Sequence, residues 1–185
     1  MIIDSSRNTS KLARCNLPKM YVGPSSLLDL GRSTQLEWIV TNGLGGYASS
    51  TVLNINTRKY HGLLVAAFNP PADRHVLLSK IDEDIRIGNT DYHFGSNEFR
   101  GVIYPDGYKR LKFFLLDPFP TFTYQDSGLF LRKEITMPYM KNMVTIHYDV
   151  LNSLDRTAIL NVHPLVNARH FHETTDRHAQ QLSFV

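Results

Sequence analysis

The sequence predicts an all-β fold, an antiparallel β-sandwich. Three observations carry this. Apolar runs of strand length recur from Leu36 onward. Turn signals divide them at short intervals: Pro105-Asp106-Gly107, Asp126-Ser127-Gly128 and Asn152-Ser153. Two runs alternate cleanly, with Val144, Ile146, Tyr148 and Val150 on one parity against Thr145, His147 and Asp149, and with Leu160 and Val162 opposing Ile159 and Asn161. Many short strands with little helix make a sandwich.

Taken in order, residues 1–20 are polar and aperiodic and read as a leader; with a possible short helix they make up residues 1–30. Ser25 to Leu30 form at most one helical turn, with Gly31 placed to cap it. Leu36–Thr41, Tyr47–Leu53 and Gly62–Phe68 are strands, the last broken by Pro70 and Pro71. His75–Ile81 is the next strand. Asp82, Glu83 and Asp84 read as an acidic, solvated turn before a further strand at Asp84–Ile87. Gly88-Asn89 signals a hairpin returning at Tyr92–Phe94. Leu111–Leu116, Pro120–Tyr124, Leu129–Pro138, Val144–Val150 and Thr157–Val166 follow. After His172 the chain turns polar, and Gln181–Val185 reads as the opening of another strand. Residues 31–185 are therefore expected to be a β-sandwich domain cut before its last strands.

Composition bounds the function. At 185 residues with 42% hydrophobic and 20% charged side chains, the chain is a globular domain or a piece of one. A net charge of +3 is too small and too scattered for nucleic acid. One cysteine, Cys15, allows no intrachain disulfide, which fits the cytoplasm. No run has the length of a signal-peptide core or of a membrane helix, so no membrane partner is expected.

The stretch from Trp38 to Phe68 concentrates the chemistry. Asn42, Gly43, Gly45, Gly46 and Tyr47 form a glycine-rich loop, and Arg58, Tyr60 and His61 a second polar cluster. Amide, guanidinium, phenol and imidazole groups suit a polyhydroxylated ligand; the alternative is a hairpin whose side chains serve its own turns. The loop lacks a phosphate-binding spacing and precedes a strand, so its glycines serve positive φ angles rather than a nucleotide. If Arg58–His61 is extended, Arg58 and Tyr60 face one way and His61 the other. Arg58 can then clamp a carboxylate or a neighbouring domain, and Tyr60 stack on a sugar ring. The plainer alternative has Arg58 in a buried ion pair and His61 on a backbone carbonyl. Glu83 is a candidate partner for Arg58 or Arg74. His163, His170 and His172 lie near Arg169, but too few ligands accompany them for a metal site. No carboxylate pair stands out as acid and base, and no Ser-His-Asp arrangement or nucleophile elbow is present.

The motifs TNGLGGYAS at 41–49, TRKYHGLLV at 57–65, HVLLSKIDE at 75–83, YPDGY at 104–108 and HPLVNARHFH at 163–172 together resemble the N-terminal domain of archaeal and bacterial glycogen debranching enzymes, the amylo-α-1,6-glucosidases. The resemblance implies a supersandwich-like β-sandwich preceding a C-terminal α/α toroid that carries the catalytic carboxylates, and hydrolysis of α-1,6 branch points in glycogen. No toroid fits in this chain, so it implies a non-catalytic domain without cofactor or catalytic residues. Its partners would be the toroid domain and glycogen or a maltooligosaccharide. In the last motif Asn167, Arg169 and His172 match, whereas His170 stands where the family usually carries an acid. The expected substrate-binding or interdomain residues are therefore Asn42, Gly43, Gly45, Gly46, Tyr47, Arg58, Tyr60, His61, Glu83, Asn167, Arg169 and His172. A free-standing glucan-binding module using Tyr92, Phe94, Tyr104, Tyr108 and Phe119, or a purely structural interaction domain, is the alternative.

Overall fold

The computed structural model describes residues 19–175. The leader at 1–18, with Cys15, and the strand expected at Gln181–Val185 lie outside the described residues. Within them, two antiparallel sheets face each other across one apolar core.

The first sheet has the order β1-β9-β10-β11-β12. Its strands are β1 (Met20–Val22), β9 (Leu111–Leu116), β10 (Pro120–Asp126), β11 (Leu129–Thr136) and β12 (Thr145–Asn152). The second sheet runs β13-β5-β4-β3-β2. It comprises β2 (Glu37–Thr41), β3 (Tyr47–Thr51), β4 (Gly62–Asn69), β5 (Ala72–Ile87) and β13 (Ala158–His170), with β6 (Thr90–His93) also paired to β5. A separate hairpin joins β7 (Ser96–Phe99) to β8 (Val102–Asp106).

The core is built where aromatic rings of the two sheets meet. Trp38 of β2 packs edge-on against Phe122 of β10, centroids 6.1 Å apart. Phe122 in turn lies 5.0 Å from Phe114 of β9. The indole N–H of Trp38 donates to the Thr51 carbonyl at 3.1 Å, so its polar edge is satisfied inside.

Three expectations are corrected. Gly31 is not a helix cap. It lies inside a short helix α2 (Leu30–Ser33), which follows α1 (Pro24–Leu27) and is capped at its start by the Asp29 carboxylate accepting from Arg32 N. Residues 82–84 are not a turn, because β5 runs unbroken for 16 residues through them. The reason is in the alternation: Glu83 shares its parity with Ile81, Ile85 and Ile87, and it faces the core fully buried. Its partner is neither Arg58 nor Arg74. Lys133 of β11 reaches across from the other sheet, Nζ to Oε1 at 2.6 Å, and Tyr148 donates its hydroxyl to the same oxygen at 2.6 Å. Lys133 Nζ also donates to the Ile81 carbonyl at 3.0 Å. Lys133 itself interrupts the inward-facing series Leu129, Leu131 and Ile135. The neighbours of Glu83 alternate to the other side. There Asp82 meets the buried Lys80 at 2.8 Å, and Asn97 of β7 donates to Asp82 Oδ2 at 2.6 Å, which staples the β7–β8 hairpin onto β5.

Candidate functional site: the outer face of the second sheet

Strand register lays out a cross-sheet row. Thr41 pairs with Tyr47, Tyr47 with Val65, Val65 with Val76, and Val76 with Arg169. Directly paired residues share a face. Thr41 has the opposite parity to core-facing Trp38, so the row lies on the outer face, away from the first sheet. Val65 and Val76 are nonetheless fully buried and belong to no part of the main core. The chain from Thr57 to Gly62 folds back beside them: a Cβ on Gly62 would sit 3.1 Å from both Val65 Cγ2 and Val76 Cγ1.

That segment is a turn, with His61 N donating to the Arg58 carbonyl at 3.0 Å. The extended geometry expected from the sequence does not occur, so strand alternation does not sort Arg58, Tyr60 and His61. Both halves of the plainer reading are corrected as well. Arg58 pairs through Nε with the Glu37 carboxylate, but its side chain is 62% exposed, so the pair is a surface one. His61 is buried, and it accepts from the Thr57 backbone N–H at 3.1 Å through Nδ1 rather than bonding a carbonyl. Its Nε2 lies 3.4 Å from Glu37 Oε1. Burial holds the His61 pKa below its ordinary value, and the Glu37 carboxylate opposes that shift.

Arg169 clasps the turn to the chain that leaves β13. It is 7% exposed and donates to the main-chain carbonyls of Lys59, Glu173 (2.7 Å) and Phe171 (3.4 Å). Burial lowers its pKa, with the nearby Tyr47 and Glu173 acting the other way. No carboxylate pairs with it among the described residues. Lys59 Nζ donates to the His172 carbonyl at 2.7 Å, and Tyr60 Oη lies 3.2 Å from His172 Nδ1. The Tyr60 ring stands 5.6 Å from Phe171 and 5.7 Å from His172. The Tyr47 hydroxyl donates to the Tyr60 carbonyl at 2.9 Å, and burial raises its pKa against the pull of Arg74 and Arg169.

The glycine loop joins the same face through Arg74, whose Nε donates to the Gly45 carbonyl at 2.7 Å while its guanidinium carbon sits 5.5 Å from the Phe171 ring. Gly43 and Gly45 have φ of +79° and +96°, as a tight turn between strands requires. A side chain at Gly45 would also meet the Pro71 backbone, its Cβ 2.5 Å from the carbonyl oxygen. Asn42 is internal: its amide nitrogen donates to Lys141 O at 2.9 Å and to Asn142 Oδ1 at 3.1 Å, and its oxygen accepts from Leu44 N at 2.9 Å.

Two clefts open on this face. One, of about 410 Å³, lies between the glycines, Tyr47, Arg74 and the exposed Ile39. The other, of about 350 Å³, is lined by residues including Arg58, His61, Asn167 and Arg169. The structure thus gathers Tyr47, Arg58, Tyr60, His61, Arg169 and His172, with Gly43, Gly45, Gly46 and Asn167 at the cleft walls. It leaves Asn42 inside the loop and Glu83 in the core. Sequence reasoning missed Glu37, Lys59 and Phe171. Phe171 and Lys59 sit inside the quoted motifs beside selected residues, which is the one signal that pointed to them; Glu37 carried none. Among the described residues, no three His, Cys, Asp or Glu side chains converge in metal-binding geometry, and no helix is long and apolar enough to cross a membrane.

Fold and face define the class: a two-sheet antiparallel β-domain with an aromatic and cationic outer surface. Residues 36–184 match the family described as glycogen debranching enzyme N terminal, and the chain belongs to that family. No curated protein and no solved structure matches it.

Proposed function

We propose that this chain is the non-catalytic N-terminal β-domain of a cytoplasmic glycogen debranching enzyme, an amylo-α-1,6-glucosidase, and that its outer face supports the catalytic α/α toroid and contacts glucan. The observation that carries the reading is family membership over residues 36–184. The chemistry of the outer face agrees with it. Rings of Tyr60, Phe171 and His172 offer stacking surfaces for sugar C–H faces, and Arg58 and Arg74 offer donors for hydroxyls. The test is made in the full-length enzyme. Tyr60→Ala and Arg58→Ala lower the debranching rate or the stability of the domain association. Unchanged kinetics together with unchanged melting would remove this face from the function.

A free-standing glucan-binding module is favoured by one observation. Tyr104 is 67% exposed and Phe119 38% exposed, whereas Phe94 is core and Tyr92 and Tyr108 pack against it. Retardation of the chain in a glycogen gel, lost on Tyr104→Ala, supports the module; normal migration of the unmodified chain counts against it.

A further inference from the structure

The cleft beside the Arg58–His61 turn has an unbalanced charge. Arg58, Lys59 and Arg169 all line it. Arg58 is matched by Glu37. Arg169 and Lys59 are not: every described hydrogen-bond partner of their side-chain nitrogens is a neutral carbonyl, the Lys59 ammonium also lies 5.2 Å from the Tyr60 ring centroid, and no carboxylate lies within ion-pair distance among the described residues, Glu173 acting on Arg169 only from further off. A guanidinium this buried is costly without a counter-charge, and three bonds to carbonyls leave part of its five-donor fork unspent. Uncharged polar side chains share the lining. Thr57, Ser79 and Thr174 line the cleft, and their side-chain hydroxyls make no hydrogen bond among the described residues. At about 350 Å³ the space falls in the lower range of small-molecule sites.

We propose that this cleft binds a phosphorylated monosaccharide, with the phosphate between Arg169 and Lys59 and the sugar hydroxyls toward Thr57, Ser79 and Thr174. A dianion matches two cations that have no ion-pair partner among the described residues. A ring bearing several hydroxyls uses donors that a bare anion would leave idle, and an uncharged glucan would leave the cations unmatched. The inference rests on the charge and size of the cleft, and stands or falls apart from the glucan reading.

Amide chemical shifts of the 185-residue chain test it, in titrations with glucose 6-phosphate, inorganic phosphate, glucose and maltoheptaose. Glucose 6-phosphate saturates shifts at Lys59, Ser79 and Thr174 below about 1 mM, inorganic phosphate binds about tenfold more weakly, and glucose gives no saturable shift. Lys59→Gln, a surface change that leaves the clasp by Arg169 in place, weakens glucose 6-phosphate about tenfold; Arg169→Lys, checked for an intact spectrum, weakens it further. The proposal is overturned by no saturation at about 10 mM, by equal binding of inorganic phosphate, or by undiminished binding in Lys59→Gln. Maltoheptaose reports separately on the glucan reading, since its shifts belong at Tyr60 and Phe171.

Discussion

Lys133 and Glu83 meet across the gap between the two sheets, Nζ to Oε1 at 2.6 Å, with neither side chain exposed. Tyr148 completes the first carboxylate oxygen, and the second, Oε2, has no hydrogen-bond partner among the described residues. The pair joins a strand of one layer to a strand of the other by charge, in a place where both neighbouring patterns call for an aliphatic residue.

Removing one partner strands the other. Lys133→Met leaves a buried carboxylate without its cation and lowers stability by about 3–5 kcal/mol. The double change Lys133→Met with Glu83→Leu recovers most of that loss. Urea unfolding of the two variants decides it; a single variant within about 1 kcal/mol of the parent would show that the pair is solvated.

The two glycine positions separate backbone strain from steric contact. Gly45→Ala combines a φ of +96° with a clash against the Pro71 backbone and lowers stability by about 2 kcal/mol or more. Gly88, with φ of +59° and nothing within 4 Å of an added Cβ, accepts asparagine at less than about 1 kcal/mol. Equal losses at the two sites would contradict the loop packing described here.

Stability depends on pH through His61. Its pKa in the folded chain lies below the ordinary 6.5, chiefly because it is buried. As pH falls past that ordinary value the unfolded chain takes up the proton first, so the contribution is full above it and is lost as pH drops through the depressed folded-state value. His61→Gln flattens this part of the profile. Denaturant midpoints followed from about pH 7.5 to 5 check it, and parallel profiles for parent and variant would refute it.

Trp38 is the only tryptophan and is 2% exposed. Its emission in the folded chain is blue-shifted and shielded from iodide, and both properties vanish on unfolding. Trp38→Phe removes the bond to the Thr51 carbonyl and part of the contact with Phe122, at about 1–3 kcal/mol. Strong iodide quenching of the native chain would place this residue outside the core.

Most of the strand content was legible because it follows from alternation and turn chemistry: Leu111–Leu116 is a strand with those limits, and Gly62, Leu129 and Tyr47 open strands as expected. What failed has physical causes. Three adjacent carboxylates at 82–84 look like a turn until Glu83 is read as an inward position in the isoleucine series, neutralised by a lysine fifty residues away that local reasoning cannot see. Strand β1 has only 3 residues, and β7 and β8 are short and carry polar residues or proline, so their existence depends on partners rather than on their own pattern. The Arg58–His61 turn escaped because its bonds run to Glu37, Arg169 and His172. The residues around it were visible as chemistry, but their arrangement was not.

Strand β5 takes β4 along one side and β13 along the other, with His75 opposite His170 and Ile87 opposite Ala158. On a ribosome, β4 emerges just before β5 and can zip to it at once. The other flank must wait until some eighty further residues have been polymerised. For that interval the nascent polypeptide displays a bare flank from His75 to Ile87 as a template for wrong pairings. Synthesis speed and chaperone access through the stretch between Ile87 and Ala158 therefore set the yield of correctly assembled molecules.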